Sequence, residues 1–257
     1  MTVPVLVLAL MAPAFAAADP PAAPAGGTPA VETTEAAAAH ERPHLIGDLL
    51  GDFKDYVTSP GNALWMAAAG AATLAAHQVD RRTTAAFGGD AGLHDAFAPG
   101  GTIGNGFTEI GAAAGLYGLG LAAHHARLAR VGEELLRADL VAGAVTDVIK
   151  IAAQRTRPDG GNFSFPSGHT SVTFASAMVI DREFGWKAGV PALAVASYVA
   201  ASRVQGLHHY LSDVAFGAAI GLTAGRTVTI RARGLRMTLS PAVVPGGVGV
   251  LFTTAGR

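Results

Sequence analysis

The chain has 257 residues, a formal net charge of −1, 14% charged residues and no cysteine. Disulfides and thiolate metal sites are therefore excluded, and the charge balance calls for no nucleic-acid partner. Half of the residues belong to the AVILMFWYC set and 33 are glycine, a small-residue bias that suits closely packed helices in soluble and membrane bundles alike.

Val3 to Leu10 form an apolar run that leads into Met11-Ala12-Pro13-Ala14-Phe15-Ala16-Ala17-Ala18. Its length and small-residue end fit a secretory signal peptide over 1–18, although no Lys or Arg precedes the run. Export to the periplasm or cell envelope is the expectation. Residues 19–43, rich in Pro, Ala and Thr, read as a linker, and 44–232 as the helical domain. Helical patterning begins near Leu45, and Asn62 is expected to cap a helix from Ala63 to about Val79. Gly88-Gly89, Pro99-Gly100-Gly101 and Gly104 break the stretch from Arg81 to Gly106, which should be loops around one short helix. Phe107 to Arg127 and Arg130 to Gln154 follow as two helices, the second stopped by Arg157-Pro158 because proline cannot continue the hydrogen-bond ladder. Beyond a Gly-rich loop come helices at about Gly168 to Phe184, Trp186 to Ser202 and His208 to Arg231. Most apolar stretches run about 15 to 18 residues and carry charges, which is marginal for crossing a bilayer. The fold class expected is all-α: a compact bundle of about six core helices first, a set of transmembrane helices second. In the tail, 233–257, the runs Met237 to Val244 and Val248 to Thr254 flank Pro245-Gly246-Gly247, a β-hairpin signal.

Three patterns carry chemistry. Lys150 and Arg157 are seven apart, about two helical turns, so on a helix they share one face; a dianion between them would relieve their repulsion, though ordinary solvated side chains are the plainer account of this pair alone. Pro166-Ser167-Gly168-His169 stands where a loop enters a helix. Unpaired N–H groups there favour anions, Ser167 adds a hydroxyl, Gly168 lets backbone approach closely, and His169 can give a proton to a leaving alkoxide. A simple Ser167 cap beside an exposed His169 is the alternative. In Ser202-Arg203-x5-His209-x3-Asp213, the spacing of His209 and Asp213 makes them helix neighbours. A carboxylate on one ring nitrogen leaves the other free as a nucleophile, and Arg203 offers a planar fork of donors. Singly, such a His–Asp pair is common. Eleven identities in fixed order and spacing have a chance probability below about 10⁻⁵ at ordinary residue frequencies.

Together these patterns resemble the three signature motifs of the type 2 phosphatidic acid phosphatase / vanadium haloperoxidase superfamily, matched at every defining position between Lys150 and Asp213. The resemblance implies that His209 attacks phosphorus and forms a phosphohistidine while Asp213 orients its ring. His169 then protonates the leaving group and afterwards activates water. Lys150, Arg157, Ser167, Gly168 and Arg203 would surround the phosphoryl oxygens without a metal or other cofactor, vanadate being a phosphate mimic for such a pocket. Pro158, Pro166 and Ser202 would shape the loops. His208 is expected to be a pocket wall or packing residue; His40, His44, His77, His94, His124 and His125 are scattered without ligand spacing. Asn162-Phe163-Ser164 reads as an accidental glycosylation sequon. The implied activity is hydrolysis of a phosphate monoester or lipid phosphate, with a phosphorylated small molecule or lipid as partner and membrane association left open. A vanadate-dependent haloperoxidase and a non-catalytic envelope protein are the alternatives, since fold alone does not settle function.

Overall fold

A computed structural model describes residues 45–232, 236–244 and 247–255; the expected leader and linker lie outside them. Nine helices occupy the described residues: α1 (Leu45–Thr58), α2 (Pro60–His77), α3 (Asp80–Phe87), α4 (Ala91–Ile103), α5 (Gly106–Ala122), α6 (Ala126–Ala153), α7 (Gly168–Phe184), α8 (Trp186–Gln205) and α9 (Leu211–Ala232). The fold is all-α. The tail backbone forms an antiparallel pair, β1 (Arg236–Val244) and β2 (Gly247–Ala255), with Arg236 opposite Ala255 and Val244 opposite Gly247.

Helix α7 is the centre. Thr170 to Ala177 are buried without a break, and a helix buried all round lacks the one-sided apolar stripe of a surface helix. It packs on α6, α8 and α9, while α5 lies along α6 and α2 along α9. The α7–α9 contact is close because Gly217, Gly221 and Gly225 line one face of α9. A Cβ on Gly221 would fall 2.1 Å from Ser171 O, and one on Gly217 or Gly225 would fall 2.6 Å from Ser167 O or Ala175 O. Buried hydroxyls on α9 bond back along the helix, Thr223 to Ala219 O and Thr227 to Thr223 O, each at 2.7 Å, so each hydroxyl proton is satisfied within its own helix. One apolar cluster joins Phe87, Phe174, Ala196, Val204 and Val214; a second joins Tyr56, Val141, Val179, Ile220 and Val228.

Several local expectations are corrected. Ser59, not Asn62, caps α2: its side chain accepts from Asn62 N, and proline opens the helix, as suits the first helical turn. Asn62 sits inside, donating to Tyr56 O and Thr227 Oγ1. The stretch 81–106 holds two helices rather than one, and Pro99 is accommodated within α4. α6 ends at Ala153, four residues before Arg157, with Gln154 as its cap in the left-handed region (φ 45°). Arg157 therefore lies in a loop and shares no helix face with Lys150. The last core helix starts at Leu211, so His209 precedes it. The end of α6 agrees with the expected stop near Gln154; the start of the last helix was misplaced because a turn closed by tertiary contacts has no sequence period.

Candidate active site

Four helix ends meet at one end of the bundle: the C-termini of α6 and α8 and the N-termini of α7 and α9. Lys150 is in the last turn of α6 and Arg203 in the last turn of α8. Ser167 is the N-cap of α7, its Oγ accepting from Thr170 N (3.4 Å) and Thr170 Oγ1 (3.0 Å), and Gly168 is the first helical residue. His169 follows in the same turn. Asp213 lies in the first turn of α9, where its Oδ2 accepts from Tyr210 N at 2.8 Å, a carboxylate reaching back to the start of its own helix.

The connecting loops are tied to these ends. Ser167 N donates to Asp213 O, and His208 N and His209 N both donate to Arg203 O. Arg157 N bonds Gly161 O and Asp159 N bonds Leu207 O, so the loop after α6 is pinned to the loop after α8. Lys150 Nζ donates to Phe163 O at 2.8 Å. Gln154, Phe163 and Leu207 hold positive φ. Non-glycine residues adopt that conformation at a cost of about 1–3 kcal/mol, and all three stand in these loops.

Ser167, His209 and Asp213 are buried, while Lys150, Arg157, Gly168, His169 and Arg203 are half-buried. The structure gathers all eight residues at this end of the bundle. Arg157 and Arg203 each bury Nε without a hydrogen-bond partner among the described residues, as does His209 at Nδ1. His209 Nδ1 is 3.7 Å from Asp213 Oδ2, close enough for charge pairing and longer than a hydrogen bond. Burial, then Arg157, pulls Lys150 down to about 8. Burial and Arg157 also pull Arg203 down to about 10. His169 is brought down to about 4 by burial, Arg203 and His209. For His209, burial outweighs the opposing effect of Asp213 and favours the neutral ring. Asp213 is held below its ordinary range; burial would raise it, but His209, Ser164, Tyr210 and Arg155 together win. A pocket of mutually repelling cations and neutral imidazoles is suited to an anion.

Some residues escaped the sequence reading. Arg155 and Ser164 both bond Asp213, and Asp80 stands behind Arg155. Ser164 was visible only as the end of a sequon; its hydroxyl is buried against the Asp213 carboxylate. His208 pairs with Asp159 Oδ2 at 3.1 Å. Among the described residues no group of three His, Asp or Glu side chains is placed to hold a metal ion.

This end of the molecule defines an all-α bundle with an anion-suited pocket built on helix termini. Residues 134–235 match the model of the PAP2 superfamily. The chain is 38% identical over 87 residues to the lipid A 1-phosphatase of Porphyromonas gingivalis, covering 32% of this chain and 20% of that protein. It is 37% identical over 98 residues to the decaprenylphosphoryl-5-phosphoribose phosphatase of Mycobacterium tuberculosis, covering 34% and 54%. The crystal structure of a transmembrane PAP2-type phosphatidylglycerolphosphate phosphatase from Bacillus subtilis matches with a TM-score of 0.49 and 19% identity, over 73% of this chain and 94% of that one. The chain thus spans between a fifth and about half of the length of these two curated relatives.

Proposed function

We propose that this chain is a phosphatase that hydrolyses a phosphate ester on a lipid-like molecule through a phosphohistidine at His209, without a metal. The observation that carries the reading is the convergence of Lys150, Arg157 and Arg203 on His169 and His209, where the basicity of Lys150, Arg203 and His169 is lowered and a bound dianion would restore it. Charge spread over the oxygens of a transferring phosphoryl group needs such prearranged donors.

In this mechanism Asp213 faces His209 Nδ1, so Nε2 carries the lone pair that attacks phosphorus. The bond from phosphorus to the leaving oxygen breaks as His169 gives that oxygen a proton. His169, now neutral, takes a proton from water, which attacks the phosphohistidine; the P–N bond breaks and phosphate leaves. Lys150, Arg157, Arg203, the Ser167 hydroxyl and the Gly168 N–H hold the three oxygens throughout. His169 is neutral at pH 7 in the empty pocket, and the charge of the bound phosphate supports its protonation.

The names of the relatives, a lipid A phosphatase and a decaprenylphosphoryl sugar phosphatase, favour a phosphate borne on a lipid. Leu64, Trp65 and Leu74 on α2, Phe107 on α5, and Phe184 and Trp186 at the α7–α8 turn are exposed, apolar surface of the kind that meets other apolar surface and that supports membrane association. No helix among the described residues is long and apolar enough to cross a membrane.

The test is hydrolysis of p-nitrophenyl phosphate and of phosphatidate in mixed micelles, with EDTA present, together with acid-quench trapping of a phosphoenzyme. His209→Ala should cost about 10³-fold or more in kcat, as loss of a nucleophile does, and should abolish the trapped species. A fully active His209→Ala variant would falsify the mechanism.

A further inference from the structure

Asp213 is held from two sides. Its Oδ2 faces His209 and accepts from Ser164 Oγ and Tyr210 N, while its Oδ1 accepts from Arg155 Nη1 at 2.6 Å. The same guanidinium donates from Nη1 to Ser212 Oγ at 2.8 Å and from Nη2 to Asp80 Oδ2 at 2.8 Å. Its carbon lies 4.1 Å from the centre of the Tyr210 ring. Asp80, the first residue of α3, is 2% exposed. Its Oδ1 accepts from Ser212 N (2.9 Å), and its Oδ2 accepts from Ser212 Oγ (2.6 Å) and pairs with His77 Nδ1 (2.9 Å).

Two buried carboxylates turned towards one point repel, and one would take a proton unless a cation stood between them. Arg155 is that cation. Its fork reaches both carboxylates and the Ser212 hydroxyl together, which the single ammonium of a lysine at this position would not match. The sequence places Arg155 two residues before Arg157, yet the two do different things: Arg157 has an unpartnered Nε in the pocket, whereas Arg155 points away into the Asp80–Asp213 pair.

We infer that Arg155, clamped by Asp80, is a positioning residue for the nucleophile: it holds Asp213 by Oδ1 so that Oδ2 faces His209 Nδ1, and it tempers the negative charge that His209 meets. The inference rests on His209 being the nucleophile. The groups facing this assembly are Ser164 and Tyr210 at Asp213; Lys150, Arg203 and His169 around His209; and His77 with Asp80 behind Arg155. The direction of each effect follows. Removing the Arg155 cation leaves Asp213 more negative in effect, so His209 keeps a proton to higher pH and the acid limb of kcat/KM moves up. Removing the Asp80 charge lets Arg155 bear wholly on Asp213, and the limb moves down.

The experiment measures kcat, KM and the pH dependence of kcat/KM on p-nitrophenyl phosphate for the wild type, Arg155→Gln, Arg155→Lys, Asp80→Asn and His209→Ala, with thermal unfolding recorded for each. An active His209→Ala variant means that the nucleophile assignment has failed, whatever Arg155 does. With His209→Ala inactive, Arg155→Gln should lower kcat by about 10- to 100-fold, the usual weight of a partner that orients a functional histidine. KM should change by less than about twofold because the phosphate donors are untouched, and the acid limb should rise. Arg155→Lys should lose kcat with its limb near the wild type, and Asp80→Asn should move the limb the opposite way. Acid limbs that stay put in both Arg155→Gln and Asp80→Asn, or move in the same direction, overturn the inference and leave Arg155 a structural ion pair. If Arg155→Gln does not fold, the Asp80→Asn displacement and the Arg155→Lys loss of kcat decide it by the same criteria.

Discussion

Lys150 is a cation placed where burial and Arg157 make its charge costly, and its pKa falls to about 8. Below that value the pocket keeps a third positive group; above it the free enzyme loses the proton. Since kcat/KM reports ionisations of the free enzyme, it should decline as pH rises through about 8. Arg in place of Lys150 stays charged and should remove that decline. A limb of the same position in Lys150→Arg would assign the ionisation to another group. At this scale the sequence was informative about identity and about the His209–Asp213 pair, and silent about partners far apart in the chain. The motif spacing marked Lys150, Arg157, Arg203, His169, His209 and Asp213, because those residues recur at fixed intervals. Arg155 to Asp80 spans 75 positions and Ser164 to Asp213 spans 49, and pairs so far apart leave no periodic trace.

The helices were legible where a chemical signal stood at their ends, and less so where tertiary contacts made the end. The limits of α7 follow from Ser167 as cap and Gly185 as stop. The end of α6 near Gln154 was also legible, although a non-glycine residue takes the left-handed turn there; the start of α9 was not, because Leu211 follows a turn that tertiary contacts close. The seam between α7 and α9 is a matter of elements. At Gly221 a Cβ would meet Ser171 O at 2.1 Å and Ala175 N at 2.8 Å, backbone atoms that cannot turn aside. Gly221→Ala should therefore lower stability by about 1–3 kcal/mol, the usual cost of overpacking, or more. Gly115→Ala, on an exposed stretch of α5 with nothing within 4 Å of the added carbon, should be neutral or stabilising by up to about 1 kcal/mol from helix propensity. Denaturant unfolding of the two variants compares them directly. Equal effects would mean that the seam does not hold the helices at that distance.

Across the whole molecule, the core is less apolar than its composition suggests. Asp139 on α6 is fully buried, accepts from Ser176 Oγ at 3.0 Å and faces Glu109 on α5. Burial, then Glu109, pushes its pKa well above the carboxylate range, with Ser176 opposing. A group raised in this way contributes stability that is complete below its unfolded pKa and is lost as pH rises through its folded one. Asp139→Asn keeps the shape and removes the ionisation, so the gain in Tm over the wild type should be larger near pH 8 than near pH 4. A gain independent of pH would show that Asp139 ionises as freely in the bundle as in the unfolded chain. Elsewhere in the core Arg137 answers Asp52 at 2.7 Å, and breaking such a buried pair typically costs about 3–5 kcal/mol.

The meeting of four helix ends at the pocket has an electrostatic consequence of its own. A helix carries partial positive charge at its N-terminus and partial negative charge at its C-terminus. Lys150 and Arg203 stand in the last turns of α6 and α8, and Asp213 in the first turn of α9, so each sits at the pole that favours its sign, worth about 0.3–1 kcal/mol apiece. The open N-terminal pole of α7, at Gly168, is the one the proposed reaction assigns to the phosphoryl group. The antiparallel run of α6 to α9 therefore delivers alternating poles to one place, and the backbone itself shares in holding the charges that the side chains bring.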